Sequence, residues 1–251
     1  MQAFTEGNAI FTYPNTPIKC GGAPQKILYL TEDYFRKKGK REHATMIYNT
    51  SLEVVFPVPK YSEALYKQML QRDIHLNLKR SLVEVRHETS EAVFEVLGSD
   101  GVLETYKYSM LHVAPPCSAP SVLWDSEVSD KTGYVDVDKG TCQHVRFANI
   151  FALGDCSNLP TSKTAAAISE QYNILAKNLS QVMAGQEPSH EYDGYTACPL
   201  LTKKGLCILA EFGYDGKDLE TFPFDQSVPR LSAYVMKVYV MPLLYWHFLL
   251  T

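Results

Sequence analysis

Residues 9 to 78 alternate between two periodicities. AIFTY, ATMIYN and IHLNL are short runs rich in β-branched and aromatic residues, whereas 23–38 and YSEALYKQMLQRD repeat apolar residues every three or four positions. Strand, helix, strand, helix, strand is the order of a parallel α/β unit, because parallel neighbours must be joined by a crossover. SLVEVRHE, EAVFEVLG, LETYKYS and MLHVAPP then follow with no helix between them, and three or four of these short strands read as an antiparallel insertion.

In outline this half resembles a dinucleotide-binding, Rossmann-like domain. It departs from one at the first turn, where G-x-G-x-x-G normally lets the backbone approach a pyrophosphate. Here the turn reads CGGAPQK, so NAD is not expected to bind. Cys20 stands just before the N-terminus of a helix that has Pro24 in its first turn. Unpaired N–H groups and the helix dipole favour an anion there, and Lys19 and Lys26 add positive charge nearby. A small cysteine packed against the helix is the competing reading, and a solvated helix lysine is the competing reading of Lys26.

With 251 residues, 45% of them apolar, the chain holds a real core, and a net charge of −4 gives no footprint for nucleic acid. The basic run RKKGKR at 36–41 reads as the solvated end of the first helix. The six cysteines show no C-x-x-C and no zinc-site spacing, so no metal is expected, and the seven histidines form no cluster. The first residues carry neither the apolar core of a signal peptide nor an arginine-rich presequence.

APPCSAP at 114–120 marks a crossover between domains. GYVDVDKGT beyond it reads as a short strand, and NIFALGD as a strand ending in Gly-Asp, followed by a loop and a long helix ending at Gly185. That arrangement puts Asp155 at the carboxyl end of a strand and Lys163, Thr164, Ala165 and Ala166 where backbone N–H groups can face a ligand. Residues 195–226 mix loop and strand. Leu231 to Leu250 is almost wholly apolar but interrupted by Lys237, Pro242 and His247, which favours an interfacial helix pair over a spanning helix, with a buried core helix as the competing reading. Tyr245, Trp246 and Phe248 suit a membrane interface.

TYPNTPIKCGGAPQK, NLPTSKTAAA, YDGYTACPLLT and AEFGYDGKDLETFPFDQS together resemble the mitochondrial type of sulfide:quinone oxidoreductase, a flavoprotein family with two dinucleotide-binding domains. The resemblance implies that Asp155 and the segment Lys163–Thr164–Ala165–Ala166 contact FAD, and that Cys20 and Cys198 form a redox-active pair. It further implies that hydrosulfide attacks Cys198, leaving a persulfide there and releasing Cys20 as a thiolate supported by Lys26. The sulfane sulfur would pass to glutathione, sulfite or sulfide, and two electrons through FAD to ubiquinone. Phe222 and Phe224 would line a quinone pocket, with a place in the core as the competing reading, and the protein would sit as a monotopic enzyme on the mitochondrial inner membrane. Cys117, Cys142, Cys156 and Cys207 match no redox position of the family and read as packing residues.

On this resemblance the chain divides into a connection carrying Cys20 (1–22), an NAD-binding-like α/β domain (23–120), the second half of a discontinuous FAD-binding domain (121–200), and a quinone- and membrane-facing segment (201–251). Family members begin with a glycine-rich flavin-binding unit that has no counterpart here, and their membrane-associated helices extend further. Two other readings are a truncated, non-catalytic membrane-associated isoform and a relative of the type II NADH:quinone oxidoreductases.

Overall fold

The computed structural model describes residues 1–249. Its first half runs β1 (Gly7–Tyr13), α1 (Ala23–Lys37), β2 (Ala44–Thr50), α2 (Pro59–Gln71), β3 (Ile74–Asn77), β4 (Arg80–Arg86), β5 (Glu91–Val96), β6 (Leu103–Lys107) and β7 (Met110–His112). β3, β2, β1 and β7 form a parallel sheet in that spatial order, and β4, β5 and β6 form a separate antiparallel sheet, so MLHVAPP leaves the antiparallel insertion and pairs with β1 instead. Side chains alternate across a strand, and the parallel sheet uses both faces. Ala9, Phe11, Met46 and Tyr48 join Leu28, Tyr29 and Phe35 of α1 and Tyr61, Leu65 and Met69 of α2 in the main core. Ile10 and Ile47 point the other way, against Ala92 and Phe94 of the antiparallel layer.

The helices differ from expectation at their ends, for local reasons. α2 starts two residues early because Pro59 suits a first helical turn, where its missing N–H leaves nothing unpaired. It stops at Gln71 because Asp73 turns into the left-handed region, with φ +51. The basic run after α1 is not simply solvated. Lys40 donates to the Gln2 and Phe4 carbonyls, and Arg41 to those of Ala44, Arg72 and Asp73. Arg41 also faces the buried carboxylate of Glu32 at 3.5 Å, which is shared with Arg36 and with Arg72 at 3.2 Å.

Residues 114–164 hold less regular structure than the sequence suggests. The expected strands at GYVDVDKGT and NIFALGD are only isolated bridges: Val135 to Ser129 and Ser157, Val137 to His144, and Phe151 to Gln143. A strand needs a continuous neighbour for its N–H and C=O groups, and these segments pair one residue at a time. A small core of Val135, Val137, Cys142, Ala152, Leu159 and Tyr192 holds them together, and His144 pins the loops by accepting from Arg146 and Phe147 N–H and contacting the Val128 carbonyl.

The long helix α3 (Ala165–Met183) follows, ending in a turn through Gly185 at φ +73. Ile168, Tyr172, Leu179 and Met183 stand exposed along one of its faces. The hairpin β8 (Thr196–Lys203) and β9 (Leu206–Phe212) returns to the first half: Cys198, Leu200, Ile208, Ala210 and Phe212 complete the main core against α1. β8 thus runs across residue 200.

The C-terminal segment is one unbroken helical run rather than a pair of helices. It passes through α4 (Leu231–Val235), a π-helical stretch Met236–Val240, α5 (Met241–Leu244) and a second π-helical stretch Tyr245–Leu249. Pro242 falls in the first turn of α5 and does not break the run. Leu250 and the side chain of Phe248 lie outside the described residues. Among those described, no helix is long and apolar enough to cross a membrane.

Glu32 is 1% exposed and neutralises arginines from three segments. Glu32→Ala leaves those charges partly buried and unpaired, so a loss of about 3 to 5 kcal/mol is expected in urea unfolding. A loss under about 1 kcal/mol would show the cluster to be water-screened.

Candidate functional site

The β1–α1 turn brings Cys20 to the carboxyl edge of the parallel sheet, three residues before the start of α1. Its backbone takes the left-handed conformation, φ +60, which is uncommon for a residue with a side chain. Two hydrogen bonds hold it there: Cys20 N–H donates to the Lys163 carbonyl at 3.0 Å, and Ala23 N–H donates to the Cys20 carbonyl at 2.8 Å. The turn before α1 is thereby tied to the loop before α3.

Cys198 comes from the middle of β8, fully buried, and its Sγ lies 3.7 Å from that of Cys20. Gly22 permits the approach. A Cβ at that position would stand 2.6 Å from Cys198 Sγ and 2.3 Å from Leu200 Cδ2. Lys26, one turn into α1, directs Nζ to Cys20 Sγ at 3.0 Å and is therefore not a solvated helix lysine.

These contacts separate the two thiols electrostatically. A hydrogen bond from Cys198 lowers the Cys20 thiol to about 5 against the opposing effect of burial, with the Lys26 charge and the Gly22 N–H adding to the shift. Cys198, hydrogen-bonded to that anion and out of contact with water, is pushed well above the ordinary thiol range. Burial pulls Lys26 down, but the charge on the two sulfurs outweighs it and leaves the ammonium raised. The pair is set up as one thiolate and one thiol.

The residues expected to face a flavin gather beside this pair. Asp155 sits in a short 3-10 turn, Gly154–Cys156, opened by Gly154 at φ +69. Its carboxylate is partly exposed and meets Lys19 Nζ at 3.0 Å. Lys163 folds its Nζ onto the Ser157 carbonyl at 2.8 Å and over the Tyr134 ring at 4.4 Å; burial lowers its pKa. Thr164 caps α3 by accepting from Ala167 N–H and contacts Thr196 of β8 at 2.8 Å. Ala165 and Ala166 keep backbone N–H groups with no acceptor among the described residues. A carboxylate at a rim and two free N–H groups at a helix N-terminus fit the hydroxyl chain and ring carbonyl of a flavin.

An open cleft of about 810 Å³ runs alongside, bordered by Tyr13, Gly21, Cys117, Tyr134, Lys163 and Phe212 among others. Cys117, read as a packing residue, is half-buried and borders this cleft. Cys142 and Cys207 are fully buried, and Cys156 is half-buried with its thiol directed to the Leu153 carbonyl. Phe222 and Phe224 do not border the cleft. They stack on each other at 5.3 Å, with the Arg230 guanidinium 4.7 Å from the Phe224 ring.

Sequence reasoning missed Gly22 and Tyr13. The paired glycines after Cys20 were a usable signal for close backbone approach; nothing near Tyr13 marked it. Gly22→Ala is expected to cost about 1 to 3 kcal/mol by overpacking and to separate the sulfurs, read as lost disulfide formation under mild oxidant. With the pair reduced, Cys20 alkylation by iodoacetamide should rise through pH about 5 and level off above it. Lys26→Met removes a charge that favours the thiolate, so that midpoint should move to higher pH; an unmoved midpoint refutes the role.

No family model matches the chain. Along its whole length it is 54% identical to the mouse protein named "Sulfide:quinone oxidoreductase, mitochondrial", with the match covering 56% of that protein. The identically named proteins of Dictyostelium discoideum and Schizosaccharomyces pombe are 48% and 42% identical over 98% and 96% of this chain, each match covering 54% of the relative. The chain thus spans about half the length of the curated relatives it matches. Among solved structures, the sulfide:quinone oxidoreductase of Aquifex aeolicus aligns with TM-score 0.76 over 95% of this chain and 57% of its own, at 15% identity. A chain of the Tetrahymena thermophila mitochondrial ATP synthase aligns with TM-score 0.79 over 98% of this chain and 58% of its own, at 22% identity. At those identities the two structures speak to the α/β fold alone, while the curated relatives make this chain a homologue, over its entire length, of the mitochondrial sulfide:quinone oxidoreductase family.

Proposed function

We propose that the chain carries the sulfur-handling half of a sulfide:quinone oxidoreductase. The observation behind this reading is the Cys20–Lys26–Cys198 cluster: two sulfurs 3.7 Å apart, with an ammonium 3.0 Å from the one at the helix N-terminus. In the oxidised pair, hydrosulfide attacks Cys198 Sγ. A new S–S bond forms there, the Cys20–Cys198 bond breaks, and its electron pair leaves on Cys20. Cys20 is the better leaving group because Lys26 and the α1 N-terminus stabilise its anion. The sulfane sulfur left on Cys198 is then removed by a nucleophilic acceptor such as glutathione, sulfite or a second sulfide.

FAD, held by Asp155 and by Lys163 through Ala166, supplies a two-electron acceptor beside Cys20 when bound and an exit for the electrons to ubiquinone. Asp155 must exchange Lys19 for the cofactor, and the free N–H groups of Ala165 and Ala166 serve as donors to it. The quinone pocket is assigned to the Phe222–Phe224 stack, next to Arg230 and the helical run that begins at Leu231. That run exposes Leu231, Tyr239, Leu243, Leu244, Tyr245 and Trp246 while Ala233 is buried under it, which suits monotopic attachment to a membrane. The location is the mitochondrial inner membrane; the names of the relatives support the mitochondrion, and the exposed apolar helical run suits the membrane.

The chain, purified with added FAD, should show a flavin absorption band that bleaches with sulfide and recovers with a short-chain quinone. Cys20→Ser and Cys198→Ser should each abolish the bleaching. A flavin-loaded chain that bleaches equally well in both variants would sink the proposed sulfur chemistry.

A further inference from the structure

Tyr13 closes β1 at the carboxyl edge of the sheet and is 8% exposed, with its side chain bordering the large cleft. Its hydroxyl lies beside Gly21: a Cβ on that glycine would be 3.6 Å from Tyr13 Oη and 3.9 Å from Ser162 Oγ. Among the described residues this hydroxyl has no hydrogen-bond partner. Of the neighbouring core tyrosines, Tyr29 donates to the Leu65 carbonyl at 3.0 Å and Tyr61 to Glu220 at 3.0 Å, whereas the Tyr48 hydroxyl is sealed in the core with no partner among the described residues and no opening to the cleft. The Tyr13 ring is buried while its side chain borders the open cleft, so its hydroxyl is a donor left available to a molecule that enters there. The unpaired donor faces the open space next to the redox pair.

We propose that the Tyr13 hydroxyl is the hydrogen-bond donor that receives the anionic sulfur nucleophile in the cleft and aims it at Cys198. This rests on the sulfide chemistry proposed above. Burial, reinforced by negative charge on Cys198 and Cys20, raises the phenol to about 12, so it stays a neutral donor wherever hydrosulfide is an anion. In the step it serves, the incoming sulfur bonds to Cys198 Sγ, the Cys198–Cys20 bond breaks, and the electron pair leaves on Cys20; Tyr13 keeps its proton throughout. Lys26 already engages Cys20, the leaving sulfur, whereas Tyr13 serves the entering one.

The test uses the full chain with Cys20 and Cys198 oxidised to the disulfide, opened either by sodium sulfide or by the uncharged tris(3-hydroxypropyl)phosphine, with released thiol measured by mass. Loss of a hydrogen bond to an anion corresponds to a roughly tenfold or greater change. Tyr13→Phe is expected to slow opening by sulfide by about that factor and leave opening by the phosphine unchanged. Tyr48→Phe, which removes a phenol hydroxyl from the core behind β1, should change neither rate. Equal sulfide rates for Tyr13→Phe and the unaltered chain would overturn the proposal, as would slowing of both reagents alike, which marks a structural role. An unaltered disulfide opened by phosphine but inert to sulfide would remove the parent reaction as well, a result distinct from failure of Tyr13 alone.

Discussion

Cys198 reaches Cys20 because position 22 has no side chain. The two cysteines are 178 residues apart, so closing that distance carries a loop entropy that local contacts must offset. The offset comes from the β8–β9 hairpin, which seats Leu200, Ile208, Ala210 and Phe212 in the same core as α1 and the parallel sheet. The hairpin can settle that closely only where Gly22 leaves room for Leu200 and Cys198 together. The hydrogen bond from Cys20 N–H to the Lys163 carbonyl then brings the α3 N-terminus to the same point. One missing methyl group thus fixes the relative positions of a sheet edge, a hairpin and two helix N-termini.

Much of this was legible in the sequence where the signal is local. The alternation from residue 9 to 78 became three strands of the parallel sheet with two crossover helices, and the run after it became the antiparallel layer except for MLHVAPP, whose β7 adds the fourth parallel strand beside β1. The second half was harder to read. GYVDVDKGT and NIFALGD have strand-like composition, but a strand is a property of a pair of segments, and these find only single-residue partners. The run RKKGKR looked like a solvated helix end because charge suggests solvent; Lys40 and Arg41 instead cover carbonyls that only the tertiary fold brings to them.

The site divides in the same way. A thiol ahead of a helix start was readable, since helix polarity follows from sequence. The part of Lys26 rested on its falling one turn later, which left two readings until the 3.0 Å contact separated them. Tyr13 gave no sign at all, because an unpaired hydroxyl is visible only once every possible partner has been placed. Cys117 looked like a packing residue for want of a motif, yet the crossover carries it to the cleft.

The contact between Lys26 and Cys20 makes the local field depend on oxidation state. With the pair reduced, the ammonium and the Cys20 thiolate neutralise one another, and the entrance to the sulfurs offers an arriving anion no attraction. Once the sulfurs are joined, that thiolate is gone, and the positive charge of Lys26 and of the α1 N-terminus stands uncompensated beside the sulfurs. The oxidised pair therefore draws anions in and the reduced pair lets them go: a charge-operated turnstile whose position is set by the chemistry it admits.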